Sequence, residues 1–262
     1  MWNGRTVSVA LPTYNEKESI LACIEGFFKT GVVDEVIVCN NNAVPGTSEE
    51  VAKTAAREVF EGRQGYGWSC QKALAETSGE LVVLSEPDGS FEPLDIFKLL
   101  AYSHDFDVVL GSRTNSELIW TGANMGWLMK WGNWTVAKYL EFLFNTTSLT
   151  DVGCTMRLLT RDVLQRIQPF FSVGGSYFAP QMTLLCIWAA ARIIEIPVNY
   201  KQRVGKSMAT GSRWAAFVIG LRMISLVTQL RARTLLGRGP NLLPGGSDNH
   251  DRAIRPPGRP DG

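Results

Sequence analysis

"LVVLSEPDGSF", residues 81–91, joins an apolar run to two carboxylates, Glu86 and Asp88, which are separated by a proline and followed by a glycine. The apolar run is typical of a buried strand, and Pro-Asp-Gly is a common turn sequence because proline fixes φ and glycine accepts a positive φ. In an extended segment, residues two apart point to the same side, so Glu86 and Asp88 can face one ion. Two interpretations follow: a strand that ends in a simple turn, or a strand that carries a metal site at its end.

Outward from this segment, the chain alternates β-branched apolar runs with segments of helical spacing. This alternation predicts an α/β fold with a mostly parallel sheet, flanked by helices and connected by right-handed crossovers. Ligands of such sheets bind at the carboxyl ends of the strands. Four predicted strands have polar ends, and these would lie together at one edge as a binding site: PTYNE, CNNN, SEPDG and GSR. Between the second and third of these strands, residues 48–58 have helical spacing and are predicted to form a helix.

The composition excludes several classes of protein. A net charge of +1 over 262 residues does not indicate a nucleic-acid-binding protein. The five cysteines are scattered without a C-x-x-C pair, and there are two histidines, so we expect no zinc site. Scattered cysteines and an amino terminus without a signal-peptide pattern predict a cytoplasmic protein.

The carboxyl-terminal part of the chain divides into two segments. Residues 213–236 are mostly apolar, but Arg222 interrupts them, and a central arginine is costly in a membrane-spanning helix. We therefore predict an amphipathic helix that lies in the membrane surface, with a core or dimer helix as the alternative. Residues 237–262 are rich in Gly, Pro and Arg and are predicted to be a disordered tail.

Three tryptophans, Trp127, Trp131 and Trp134, fall on one face of a long predicted helix. Tryptophan is enriched at membrane interfaces, although it is also common in protein cores. This face therefore predicts either a membrane-contacting surface or a packed interior, and the sequence leaves both open.

Taken in order, PTYNE, VIVCNNNAVPGT, RQGYG, SEPDG and DVGCTMR resemble the motifs of family-two glycosyltransferases with the GT-A fold. Among these enzymes the chain is similar to the dolichol-phosphate mannose synthase branch, which uses polyprenyl-phosphate acceptors. The resemblance implies a Rossmann-like GT-A domain over residues 1–212, a GDP- or UDP-linked sugar donor, a Mg²⁺ or Mn²⁺ cofactor, and inversion at the anomeric carbon.

The resemblance also implies a donor site that can be carried over position by position. The matching nucleotide-binding residues are Pro12, Tyr14, Glu16, Asn41, Gly65, Gly67 and Glu86, with Glu86 and Asp88 as the metal motif. The first carboxylate of this motif is a glutamate where the family usually has aspartate, so Asp88 is the expected direct ligand, with Glu86 acting through water or the ribose. Asn41 falls where the family usually has an aspartate or asparagine that contacts the base, and because Asn40 and Asn41 are both neutral, the identity of the base stays open.

The chemistry of sugar transfer favours the metal interpretation independently. When a sugar leaves a nucleoside diphosphate, negative charge builds on the β-phosphate, and a hard cation held by carboxylates offsets that charge. We therefore expect Glu86 and Asp88 to form a divalent-metal site.

The acceptor decides which further residues the site needs. A hydroxyl acceptor must lose a proton to a base, and Asp151 is the candidate, although it could equally be a structural cap. A lipid monophosphate is largely dianionic at neutral pH and instead needs cations to position it. The resemblance places five cations in or beside the acceptor region: Arg113, Lys130, Arg157, Arg203 and Lys206.

We therefore predict transfer to a polyprenyl phosphate by an enzyme on the cytoplasmic face of a membrane, with Arg157 and Arg203 holding the phosphate. Three alternatives stay open: a hydroxyl acceptor with Asp151 as base, a sugar nucleotidyltransferase, and a nucleotide-binding membrane scaffold without activity. The sequence speaks weakly against the nucleotidyltransferase, because PTYNE stands where its glycine-rich loop would follow the first strand.

Overall fold

The computed structural model describes residues 1–123, 127–205 and 213–236, and its centre is a seven-stranded sheet. The strands are β1 Val7–Thr13, β2 Glu35–Asn40, β3 Arg57–Phe60, β4 Leu81–Leu84, β5 Val108–Ser112, β6 Arg157–Thr160 and β7 Ile193–Pro197. Their order across the sheet is β3-β2-β1-β4-β6-β5-β7.

Four of the six strand pairings are parallel, and the two antiparallel pairings both involve β6. Strand β6 lies between β4 and β5, which run in the same direction because each is antiparallel to it. The carboxyl ends of β1, β2, β4 and β5 therefore meet at one edge, as predicted. This arrangement confirms the mostly parallel α/β fold.

Helices cover both faces of the sheet. They are α1 Lys17–Lys29, α2 Thr47–Val51, α3 Tyr66–Glu76, α4 Ile96–Tyr102, α5 Trp127–Phe144, α6 Arg161–Ile167, α7 Phe178–Trp188 and α8 Arg213–Leu235. Because successive strand residues point to opposite faces, Val9 of β1 packs into the core beneath α1 and α4, whereas Ala10 packs into the core beneath α3 and α7. The site edge thus rests on a sheet that is buried on both sides.

The helix predicted over residues 48–58 is wrong in its second half. Helix α2 ends at Val51, and β3 pairs with β2 as the edge strand. The carboxylate of Glu58 accepts hydrogen bonds from Asn40 Nδ2 (2.9 Å) and Ser48 Oγ (2.7 Å), which ties β3 to the end of β2. Strand pairing and these side-chain bonds therefore override the helical spacing of this stretch.

The helix expected over residues 213–236 is observed as α8, which packs against α5 and α7. Its buried residues Met223, Val227 and Leu230 follow helical spacing and join the core on that side of the sheet. In the described part of the chain, no helix has the length and apolar character needed to cross a membrane. Residues 237–262, predicted to be a disordered tail, lie outside the described residues.

Candidate functional site

The loop after β1 is organised by Glu16. One carboxylate oxygen, Oε2, accepts hydrogen bonds from Thr13 Oγ1 (3.1 Å), Tyr14 N (2.7 Å) and Asn15 N (2.8 Å). Pro12 is buried at the end of the strand, and Tyr14 is half-buried beside it. The predicted nucleotide-binding motif is therefore a rigid turn at the edge of the sheet, with Oε1 of Glu16 outside these three bonds.

Asn41, predicted to contact the base, is buried and engaged at both ends of its carboxamide. Its Nδ2 donates to the carbonyls of Glu61 (2.7 Å) and Arg63 (2.8 Å), and its Oδ1 accepts from Gly65 N (2.9 Å). In this arrangement Asn41 holds the loop between β3 and α3 in place. A base contact by its side chain stays a prediction.

Gly65 and Gly67 allow the start of α3 to approach the loop before α7. Gly65 has φ +151°, and a Cβ there would lie 2.4 Å from the carbonyl oxygen of Gly174. A Cβ on Gly67 would lie 2.1 Å from the carbonyl oxygen of Val173, and its own N–H donates to Gly174 O (2.9 Å). Sequence analysis identified the two glycines but not the loop that makes them necessary.

Asp88 is 1% exposed and lies in the turn after β4. Its Oδ1 accepts hydrogen bonds from the N–H of Ser90 (2.9 Å) and from the Ser90 hydroxyl (2.5 Å). Its Oδ2 is buried and accepts no hydrogen bond, although Arg203 Nη2 lies 3.1 Å from it without hydrogen-bond alignment. One carboxylate oxygen thus fixes the turn, and the other is left for a cation.

Glu86 lies two residues before Asp88, just ahead of the same turn, and is half-buried. Its Oε1 accepts hydrogen bonds from Tyr66 Oη (3.0 Å) and Thr155 Oγ1 (2.7 Å). Burial, assisted by the neighbouring charge of Asp88, raises the pKa of Glu86 to about 7. Sequence analysis missed Tyr66 and Thr155, although both stand inside quoted motifs, because neither residue type signals a carboxylate partner by itself.

Arg203 reaches the site from a segment far along the chain. Residues 199–204 cross the turn after β4, where Val204 N donates to Asp88 O (2.8 Å). The Arg203 guanidinium then lies 3.1 Å from Asp88 Oδ2 and 3.8 Å from Glu16 Oε1. The structure thus brings together three residues predicted for the site from three separate segments.

Asp151, the candidate base, forms a buried ion pair with Arg113. Arg113 donates from Nε (2.8 Å), Nη2 (2.9 Å) and its backbone N–H (3.0 Å), and Gly153 N donates a further bond (3.2 Å). Burial alone would raise the pKa of Asp151, but the Arg113 guanidinium outweighs it and holds that pKa below its usual range. The other side of the guanidinium faces the Tyr200 ring, 5.2 Å from its centroid. The charges of Asp151 and Arg113 therefore neutralise each other.

Arg157 is 1% exposed, and the structure does not bring it to the surface of the site. Its guanidinium donates to Ala179 O (3.0 Å), Thr183 Oγ1 (3.2 Å) and the carbonyl of Cys154. It ties the start of β6 to α7, and burial lowers its pKa. A phosphate contact by Arg157 would need these bonds to open.

Lys130 and Lys206 are the remaining predicted cations. Lys130 is half-buried on α5, with Nζ 3.5 Å from Ser116 Oγ. Lys206 lies outside the described residues. Neither position tests the acceptor role that was predicted for them.

The described residues contain no cluster of three or more His, Cys, Asp or Glu side chains that could hold a metal ion. Asp88 nevertheless fits a hard divalent cation, because its Oδ2 is a buried carboxylate oxygen without a hydrogen bond. Glu86 adds a second carboxylate. Tyr66 and Thr155 both donate to its Oε1, so Oε2 takes part in neither of these bonds. A cation here would be completed by oxygens of a bound ligand.

Comparison with known proteins agrees with this architecture. The family described as "Glycosyl transferase family 2" matches residues 8–168. The low-salt glycan biosynthesis hexosyltransferase Agl6 of Haloferax volcanii is 28% identical over 209 residues, covering 77% of this chain and 49% of that protein. The chain thus spans about half the length of this relative.

Two further relatives carry dolichyl phosphate in their names. The dolichyl-phosphate hexose transferase of H. volcanii is 27% identical, over 77% of this chain and 85% of that protein. The dolichyl-phosphate beta-glucosyltransferase of Saccharomyces cerevisiae is 22% identical, over 88% of this chain and 75% of that protein.

Among solved structures, glucosyl-3-phosphoglycerate synthase from Mycobacterium tuberculosis, in complex with Mn²⁺, UDP and phosphoglyceric acid, superimposes with a TM-score of 0.60. It is 19% identical, over 91% of this chain and 80% of that chain. At this identity the likeness concerns the fold, and it confirms the predicted GT-A architecture.

Proposed function

This chain belongs to glycosyl transferase family 2, and we propose that it transfers a hexosyl group from a nucleotide sugar to a polyprenyl phosphate. Two relatives named for dolichyl phosphate support this acceptor class. The structural argument rests on the state of Asp151 and on the position of Arg203.

The observation that carries the proposal is the ion pair between Asp151 and Arg113. An alcohol acceptor must give up its proton as it attacks, and the base needs a free lone pair within reach. The side chain of Asp151 is 0% exposed, and both of its oxygens accept hydrogen bonds from the Arg113 guanidinium. A phosphate acceptor needs no such base, because its second ionisation lies near pH 6 and it is already nucleophilic at neutral pH.

Arg203 is the better placed of the two predicted phosphate-binding arginines. Its side chain is 22% exposed at the carboxyl edge of the sheet, whereas Arg157 is buried. The Nε of Arg203 is buried and has no hydrogen-bond partner, so a phosphate oxygen would satisfy it. We therefore assign the acceptor phosphate contact to Arg203.

We propose that Asp88 holds Mg²⁺ or Mn²⁺ directly and that Glu86 supports it through Oε2, bound water or the donor ribose. When bound, the cation offsets the charge that builds on the β-phosphate of the departing nucleotide. The chain itself contributes fixed geometry: Ser90 orients one oxygen of Asp88, and Tyr66 and Thr155 hold one oxygen of Glu86. The turn of Glu16 and the loop of Gly65 would flank the nucleotide.

A lipid acceptor requires access to a membrane surface, and α5 offers exposed aromatic side chains for it. Trp131 and Trp134 are 59% and 42% exposed and contact each other edge to face, with ring centroids 5.4 Å apart. Phe142 of the same helix is also exposed. Because α8 turns its apolar stripe toward the core, we propose that α5 contributes to a peripheral contact on the cytoplasmic face. A contribution from residues 213–236 stays a prediction.

The test supplies a polyprenyl phosphate and a sugar acceptor in parallel, with a panel of radiolabelled GDP- and UDP-sugars and with Mg²⁺ or Mn²⁺. We expect label in the lipid product alone. Label in the sugar product alone, together with an inactive Asp151→Asn variant, would replace this proposal with a hydroxyl acceptor and Asp151 as its base.

A further inference from the structure

Arg203 and a divalent cation require the same oxygen atom. Oδ1 of Asp88 is occupied by the N–H and hydroxyl of Ser90, so Oδ2 is the oxygen that remains for a cation. The Arg203 guanidinium stands 3.1 Å from it and also faces Glu16. A metal bound to this oxygen at the usual distance of about 2.0–2.6 Å would stand close to the guanidinium, and the two positive charges would repel each other.

The contact between Arg203 and Asp88 is incompletely satisfied on both sides. Asp88 Oδ2 and Arg203 Nε are buried atoms without a hydrogen bond, although the two side chains are in ion-pair range. Neutralisation of charge, rather than aligned hydrogen bonding, holds this pair together. The charge of Arg203 stabilises the carboxylates of Asp88 and Glu16, but a ligand that binds Asp88 Oδ2 more strongly can displace the guanidinium.

The segment that carries Arg203 is anchored independently of that contact. Lys201 N donates to Ser90 O (2.7 Å) and Val204 N donates to Asp88 O (2.8 Å). Lys201 also forms an ion pair with Glu92. The guanidinium can therefore leave Asp88 by rotation of its own side chain while the backbone of residues 199–204 stays in place.

We propose that Arg203 acts as an internal competitor for the divalent cation: it neutralises Asp88 and Glu16 in the empty site and is displaced when the cation binds. Displacement frees the guanidinium for the acceptor phosphate that the proposed function assigns to it, so the cation binds before the acceptor. This inference rests on the proposed function for the identity of the acceptor. The competition at Asp88 itself needs no acceptor.

The test is a direct titration of Mn²⁺ by electron paramagnetic resonance, with the ion alone and with UDP. Arg203→Gln should bind Mn²⁺ about tenfold more tightly than the wild type, since one charged contact to Asp88 is removed. Arg203→Lys should fall between the two, because it keeps a charge without the planar fork. Lys201→Gln is the matched control: it removes the same charge from the same segment and should change the affinity by less than about twofold.

Equal gains for Arg203→Gln and Lys201→Gln would overturn the inference, because a general charge effect would then explain both. Weaker Mn²⁺ binding by Arg203→Gln would also overturn it. If lipid transfer occurs but the Arg203 variants bind Mn²⁺ like the wild type, the competition fails and the proposed function stands. If Arg203→Gln gains affinity but no lipid is labelled, the competition stands and the acceptor assignment fails.

Discussion

Replacing Asp151 by asparagine separates a structural ion pair from a catalytic base. The substitution removes one charge and leaves the Arg113 guanidinium buried, with its side chain 10% exposed. Breaking a buried pair by removing one partner costs about 3–5 kcal/mol, and we expect about 3 because the asparagine oxygen still accepts one of the bonds. For a chain of this size, about 3 kcal/mol corresponds to a fall of about 6–12 °C in Tm.

The stability lost in Asp151→Asn depends on pH in a direction that follows from the lowered pKa of Asp151. The pKa of Asp151 in the folded protein lies below its ordinary value of 3.8, so the carboxylate contributes stability at every pH above that value. That contribution disappears only as the pH falls through the lowered pKa. The difference in Tm between the wild type and Asp151→Asn should therefore be constant from about pH 8 to pH 5 and should shrink only below about pH 4.

The measurement pairs thermal unfolding with transfer assays run well below the Tm of the variant. We expect the variant to unfold earlier and to keep kcat within about threefold of the wild type, because a phosphate acceptor needs no proton acceptor. The control is Asp162→Asn, whose carboxylate is 78% exposed in a surface pair with Arg166 and should change stability by less than about 1 kcal/mol. An unchanged Tm with a loss of activity of about 100-fold or more would refute the reasoning and make Asp151 the base.

Three further substitutions test other parts of the site. Asp88→Asn should lower transfer by about 100-fold or more and abolish the Mn²⁺ dependence of UDP binding, which calorimetry would detect; unchanged Mn²⁺-dependent binding would contradict a metal at Asp88. Gly67→Ala should destabilise the protein by about 1–3 kcal/mol, since its Cβ would meet the carbonyl of Val173, whereas the control Gly132→Ala has open space and should be neutral or stabilising. Trp131→Ala should weaken sedimentation with anionic liposomes by about threefold or more at unchanged Tm. The control is Phe60→Ala, which removes an exposed aromatic ring from the edge strand β3 and should leave sedimentation unchanged. Equal effects of the two substitutions would argue against α5 as the membrane contact.

The sheet and the edge that carries the site follow from the sequence because apolar periodicity is a local signal. Strands β1, β2, β4 and β5 are continuous buried runs, and their polar ends were predicted to meet. Strand β3 was missed because it lies at the sheet edge and is partly exposed, so it carries no apolar run. Glu58 of β3 accepts a hydrogen bond from Asn40 at the end of β2, and apolar periodicity carries no information about such a tertiary contact.

The candidate site also combines local features, which the sequence reveals, with contacts between distant segments, which it does not. The spacing of Glu86 and Asp88 predicts two carboxylates on one side of a turn, and in the structure they lie close enough for the charge of Asp88 to raise the pKa of Glu86. The contact between Arg203 and Asp88 joins residues that are distant in the chain, and a charged residue type does not reveal which partner it meets. Likewise, the sequence cannot distinguish the buried Arg157 from the accessible Arg203, because the direction of a side chain depends on the packed sheet.

The four-residue strand β6 also determines when this site can assemble. In the described sheet, β3-β2-β1-β4 and β5-β7 are hydrogen-bonded to each other through β6 alone. While β6 is still inside the ribosome, a nascent chain would hold the unit β3-β2-β1-β4 with an unpaired β4 edge, together with a β5 that has neither β6 nor β7 beside it. Unpaired strand edges are prone to aggregate. Glu86 and Asp88, which follow β4, would gain their partners Thr155 and Arg203 only after those later segments are synthesised. Folding of this chain is therefore expected to be completed late in synthesis, after β6 has joined β5 to β4 and β7 has paired with β5.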